Sequence, residues 1–284
     1  MNPDHTNIKS PLFYTDTTGK FLYIRHGKTL FNQVETEENK FIVKVDKNYL
    51  DSPLADVGIS QAKSIQSTVN TFDIEDVYVS PLTRALQTAS YIFENHPQKD
   101  NITIKVHPLI TETVNGVHDF TYDITERKNK FNLNTQPVRF DWCYFDQQFH
   151  SKQEQDLNFL SYIDYFSEEQ KKEAFGKVYD AYNKGNIEDI KQSVADLSKY
   201  AVDAGFPRCE KLKSMLNRGL AFEAFLREKH KETINDTNRK VIVIMHSSFG
   251  KICTSEKALN MEEIKDFPDD CYMMKNCEII SKNI

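Results

Sequence analysis

Cysteine is scarce and odd in number, with five residues at 143, 209, 253, 271 and 277 and no C-x-x-C pair. Such a set builds neither a disulfide framework nor a zinc ribbon, and it reads as reduced thiols. Glycine and proline number nine each, which excludes collagen-like and low-complexity chains. No apolar run is long enough to span a bilayer. The first ten residues, MNPDHTNIKS, hold no signal-peptide core. A basic surplus is also missing: 36 Lys and Arg against 42 Asp and Glu leave a net charge of −6. That balance argues against nucleic-acid or anionic-membrane partners, which need the opposite sign. What remains is an ordinary globular chain, expected in the cytoplasm.

The strands come first. Phe21–Ile24 is a short apolar run that ends in Arg25-His26-Gly27. Val77–Val79 stops at Ser80-Pro81, and Thr83 is placed to cap the helix that follows. Ile102–Val106 precedes His107-Pro108, and Cys277–Ile280 lies near the C-terminus. The strongest is Val241–Met245, unbroken and apolar as a central parallel strand should be. Between them, Ile59, Ala62, Ile65 and Val69 keep helical spacing, as do Leu212, Met215, Leu216, Phe222, Phe225 and Leu226. Alternating strand and helix predict an α/β fold with a doubly wound, mostly parallel sheet.

Residues 119–207 break the alternation. They open polar and aromatic, then turn helical: Ser167 with Gln170 fits a capping box, Gly185 a stop, Asn186 the next cap. No strand signal interrupts them. The expected organisation is one domain over 1–284, with a core at 20–118 and 208–284 and an inserted helical cap at 119–207. The cap is expected to choose the substrate, with Phe140 and Trp142 taking part.

Three windows carry chemistry. Arg25-His26-Gly27 follows directly on a strand, where doubly wound sheets bind ligands. Arg84 lies in the first turn of a helix, where its guanidinium and free backbone N–H groups can meet one anion. His246 follows the central strand, and Ser247 and Ser248 add donors behind it.

FLYIRHGKTLFN, DSPLADVGISQA, VYVSPLTRALQTA and VIVIMHSSF, in that order, resemble the signatures of the histidine phosphatase superfamily, which includes the phosphoglycerate mutases. GVH at 116–118, RGLAFEAFL at 218–226, HSSF at 246–249 and NCEI at 276–279 are similar to its fungal and plant phosphoglycerate-mutase-like branch. The resemblance covers residues 21–118 and 207–284. It implies that His26 is the nucleophile and becomes a phosphohistidine. It implies that Arg25, Arg84 and His246 bind the phosphoryl oxygens, with Thr29, Asn32 and Ser247 as secondary phosphate contacts. Glu112 would donate the proton to the leaving group, with Glu126 the next candidate. The activity implied is that of a phosphomonoesterase acting on a small phosphorylated metabolite or a phosphoprotein. The alternatives are a phosphoglycerate-mutase-type phosphotransferase and a catalytically weak phospho-ligand-binding protein. Neither a cofactor nor a metal is expected.

The chemistry unites these residue types. A nucleophile must approach a dianion, and the transferred group spreads charge over its oxygens, so fixed positive charge is needed there. The same charge keeps His26 neutral, as attack requires. Asp119-Phe120-Thr121-Tyr122-Asp123 stands where the plant-like branch has a Cys-Asp and a basic cluster. That difference removes positive charge from the expected rim and argues against a bisphosphate substrate.

Overall fold

A computed structural model describes residues 16–132, 137–206, 208–261, 264, 266–282 and 284. Its six strands are β1 (Phe21–Arg25), β2 (Asp73–Val79), β3 (Thr103–Val106), β4 (Arg139–Asp141), β5 (Arg239–Met245) and β6 (Ile279–Lys282). They form one sheet in the order β4-β3-β2-β5-β1-β6. Every pairing is parallel except that of β6, which runs antiparallel to β1.

The sheet's pleat sorts the core into two layers. Leu22, Ile24, Val77, Val79, Ile242 and Ile244 join one buried cluster, and Phe21, Tyr23, Tyr78, Val241, Val243 and Met245 join the other. Period-two alternation sends neighbours to opposite faces. Both faces are apolar, so both must be covered. Helices Asp56–Ser64 and Thr83–Phe93 place Ala62, Leu86 and Ala89 in the first cluster. Helices Leu212–Lys229 and Ser247–Thr254 place Met215, Phe222 and Ile252 in the second. The expected α/β architecture is the observed one.

Within residues 119–207 the capping predictions match. Ser167 and Gln170 close a reciprocal capping box at the start of helix Glu168–Lys184, and Gly185 ends it at φ 72°. Asn186 then caps helix Ile187–Asp203. A strand also lies in this stretch, contrary to expectation: β4 pairs with β3 and forms the sheet's edge. Three residues, Arg139-Phe140-Asp141, carry too little alternation to be read as a strand. Phe140 and Trp142 are 7% and 4% exposed and belong to the hydrophobic core. They hold the insertion to the sheet and present no surface to a substrate.

Smaller corrections have local causes. The helix over 59–69 breaks at Ile65 into Asp56–Ser64 and Gln66–Val69. β6 starts two residues later than expected, because Cys277 adopts a left-handed φ of 57° and donates its N–H to Arg25 O. Thr83 is the first helical residue and not the cap. Asp51 supplies the cap, its Oδ1 accepting from Thr83 N at 3.0 Å and its Oδ2 from Thr83 Oγ1 at 2.6 Å.

One close approach fixes the loop after β1. A Cβ at Gly58 would lie 2.0 Å from Lys28 O, and one at Gly27 would lie 2.5 Å from Gly58 O. Both obstacles are backbone, so neither can turn aside. Gly58→Ala is therefore expected to destabilise the chain by about 1–3 kcal/mol or more, as overpacking does. Urea denaturation of the two proteins measures it.

Candidate active site

The site is built on three neighbouring strand ends. Arg25 is opposite Met245 in the β1–β5 register, so His26 and His246 step off side by side. His26 N donates to Met245 O at 3.0 Å, and the two imidazole centroids are 5.0 Å apart. Ser80 leaves β2 beside them, its N–H donating to Ile244 O at 3.1 Å. This is the carboxyl edge of the sheet, where the fold exposes its crevice. His26 is 4% exposed and His246 fully buried.

Hydrogen bonds assign the tautomers. His26 Nδ1 lies 2.7 Å from Gly27 O. A carbonyl oxygen only accepts, so Nδ1 carries the hydrogen and Nε2 keeps its lone pair. Burial, then the Arg84 and Arg25 guanidiniums, hold the His26 pKa well below its ordinary value. A neutral imidazole with a free Nε2 is what nucleophilic attack needs. His246 Nδ1 accepts from Arg84 Nε at 3.2 Å, so its Nε2–H donates to Ser80 Oγ at 2.7 Å. Burial and the same guanidiniums keep it neutral too.

Arg84 sits in the first turn of helix Thr83–Phe93, 3% exposed. Besides His246, its Nη1 donates to His118 O at 2.6 Å and its Nη2 to Asp119 Oδ1 at 2.7 Å. Arg25 donates Nη1 to Met274 O at 2.8 Å, and its Nε is buried with no hydrogen-bond partner among the described residues. Thr88 ties the first motif to the helix, accepting from Gly27 N and donating to Arg84 O.

Glu112 reaches the same locus from the segment after β3. It is 6% exposed, and it accepts from Thr113 N at 2.8 Å, Phe249 N at 2.9 Å and Ser248 N at 3.0 Å. The last two are free donors of the helix Ser247–Thr254 N-terminus. Burial and the charge of Asp119 push its pKa up, against those hydrogen bonds and Arg84. Arg218 braces the segment: it pairs with Glu210 through Nε and Nη2, both at 2.8 Å, and donates Nη1 to Leu109 O and Thr111 O.

The structure thus brings His26, His246, Arg84 and Glu112 into one buried cluster, with Arg25 bordering it. Thr29 and Asn32 occupy each other instead: Thr29 caps helix Leu30–Val34 and Asn32 closes the capping box. Ser247 is half-buried at the first turn of its helix. Glu126 is exposed on helix Ile124–Asn132, where it lines a separate cavity with Asp51 and Arg127.

Sequence reasoning did not single out His118 or Asp119 as site residues. His118 stacks on Phe31 at 3.6 Å between centroids, and its Nε2 is 3.2 Å from Asp119 Oδ2. Burial, then Arg84 and Lys44, keep its pKa well below the ordinary value. His118 ends the quoted GVH window and Asp119 directly follows it, but nothing in one sequence marks Asp119 as the partner of Arg84.

Residues 21–144 match the family model of the histidine phosphatase superfamily (branch 1). Three of the four motifs lie within that span, and the fourth, at 241–249, lies beyond it. Fructose-2,6-bisphosphatase TIGAR B of Danio rerio is 31% identical over 94 residues, which are 33% of this chain and 34% of the relative. The chain therefore matches about a third of that relative's length. Among solved structures, the ecdysone phosphate phosphatase of Bombyx mori aligns with a TM-score of 0.45 at 14% identity, covering 92% of this chain and 87% of its own. A phosphoglycerate mutase of Bacillus anthracis aligns at 0.42 and 15% identity, covering 94% and 92%.

Proposed function

We propose, on the premise that residues 21–144 are a histidine phosphatase superfamily segment, that this chain is a phosphomonoesterase working through a phosphohistidine on His26. One observation carries the reading. A neutral imidazole with a free Nε2 lies within the same buried cluster as Arg84 and a carboxyl group whose pKa is pushed up. Those are the nucleophile, charge stabiliser and proton donor of metal-free phosphoryl transfer.

In the first step His26 Nε2 attacks phosphorus in line as the ester oxygen departs. Arg25 and Arg84 face the oxygens on which charge accumulates. Glu112 gives its proton to the leaving alkoxide. Water then attacks the phosphohistidine while Glu112, now ionised, takes the water's proton, and inorganic phosphate is released. His246 spends both ring nitrogens on Arg84 and Ser80, so its contribution is to hold the guanidinium.

Burial of His26 supports a small metabolite over a phosphoprotein side chain. A cavity of about 390 Å³ borders the site at Asn115, whose N–H bonds Asp119. Lys44 and Arg208 line it beside Val202 and Phe206. They restore positive charge that the sequence after GVH lacks, and they suit a leaving group bearing an anionic substituent. A panel of phosphorylated metabolites and phosphopeptides, scored by released phosphate with a chelator present, tests the reading. Turnover of small monoesters, unchanged by the chelator and blocked by vanadate, is expected. Activity that vanishes with the chelator and returns with a divalent metal contradicts it.

A further inference from the structure

We infer that Asp119 is an internal counter-anion of the phosphate seat: it holds Arg84 in the free protein and surrenders that bond, with uptake of one proton, when a phosphoryl group arrives. The inference rests on the phosphoryl-seat reading above.

The geometry is tight. Asp119 Oδ1 lies 2.7 Å from Arg84 Nη2, with the two side chains 1% and 3% exposed. The other two guanidinium nitrogens are taken by His246 Nδ1 and His118 O. A guanidinium has five N–H donors, so hydrogens remain on both terminal nitrogens. A phosphoryl group using them would sit beside an ionised Asp119, two like charges in a water-poor site. The His118 carbonyl and the His246 ring are neutral acceptors and raise no such conflict.

Charge counting points the same way. Arg25 and Arg84 are cationic, while His26, His118 and His246 are held neutral by burial and by those cations. An ionised Asp119 offsets the charge of Arg84 at its point of contact, which weakens that guanidinium's hold on a phosphate dianion. A protonated Asp119 restores it. The groups that face Asp119 are Arg84 from helix Thr83–Phe93, Glu112 from the segment after β3, His118 beside it, Glu35 and Lys44 from residues 35–44, and Cys209. Burial pushes the Asp119 pKa up, against the pull of Arg84 and Lys44.

No large movement is required. Asp119 Oδ2 stays bonded to Asn115 N at 3.1 Å and faces His118 Nε2 at 3.2 Å. A solvent proton joins Oδ1, the ion pair there is lost, and the hydrogens still free on Arg84 Nη1 and Nη2 bond the phosphoryl oxygens. That new O–H can donate to the bound group.

Sulfate is the probe, because it stays a dianion across neutral pH. Titration calorimetry in two buffers of different ionisation enthalpy counts the protons taken up per sulfate. Sulfate competing with p-nitrophenyl phosphate shows that it occupies the seat. Wild-type protein is expected to take up close to one proton and to bind about tenfold more weakly per pH unit above the Asp119 titration. Asp119→Asn should take up far less, bind more tightly at alkaline pH and show a flat profile. Glu112 and Glu35 are the other carboxyls able to accept the proton, so Glu112→Gln and Glu35→Gln must each retain the uptake. If Asp119→Asn fails to fold, Asp119→Ser is the second variant and must likewise lose the uptake. Uptake unchanged in Asp119→Asn or Asp119→Ser, or lost in Glu112→Gln or Glu35→Gln, overturns the inference. Sulfate bound without proton uptake overturns it and leaves the seat standing, whereas no competitive sulfate binding overturns both.

Discussion

Replacing His26 by alanine is expected to lower kcat on every phosphomonoester by about four to six orders of magnitude, the scale at which losing a covalent nucleophile registers in other hydrolases. The prediction follows from the assigned tautomer. Nδ1–H is committed to Gly27 O, so the one free lone pair in the cluster's first histidine is on Nε2. His246 cannot replace it, because both of its nitrogens are engaged. The fold should survive, since the ring is held by a local carbonyl and the backbone by Met245 O. Rapid-quench assays of phosphate release, with circular dichroism as the control, check both halves. A fall of less than about tenfold would place the nucleophile elsewhere.

Glu112→Gln is expected to show a leaving-group contrast. An alkyl alkoxide needs a proton, whereas nitrophenolate departs nearly unaided. General acid catalysis is worth about 10²–10⁴-fold. Adduct formation from an alkyl phosphate should slow by that factor, and from p-nitrophenyl phosphate far less. Single-turnover measurement keeps the later water attack, which needs Glu112 as base, from masking the difference. A pH signature accompanies it. The Glu112 pKa is raised, so its acid form, and the rate that depends on it, persists above the ordinary carboxylate range and declines as pH rises further. The His26 pKa is depressed, so the neutral nucleophile persists as pH falls below the ordinary histidine value. At saturating alkyl phosphate, kcat should therefore decline on the alkaline side, and Glu112→Gln should lose that decline. Equal losses on both substrates would assign the acid to another residue.

Much of this fold is legible from local pattern. Val241–Met245 reads as a central strand because both its faces are apolar, and Ser167, Gly185 and Asn186 read as caps because their side chains and φ act within four residues. The two histidines and Arg84 of the candidate site are visible for the same reason, each following a strand end by a few residues. What sequence does not reveal depends on distant partners. β4 is a strand because β3 offers it an edge, although Arg139-Phe140-Asp141 has no pattern of its own. Thr83 has the chemistry of a cap, yet Asp51, far back in the chain, takes that position. Phe140 and Trp142 suggest a binding surface until their burial places them in the core. Asp119 reads as lost positive charge, and only the folded chain sets its carboxylate against Arg84.

The most direct test of the account is to trap the intermediate. Protein quenched in alkaline denaturant during turnover of a phosphomonoester, then digested and mapped by mass spectrometry, should carry an acid-labile, base-stable phosphoryl group on His26, bonded through Nε2. A phosphoryl group on another residue, or its absence under conditions where the alcohol is released in a burst ahead of phosphate, would contradict the phosphohistidine mechanism.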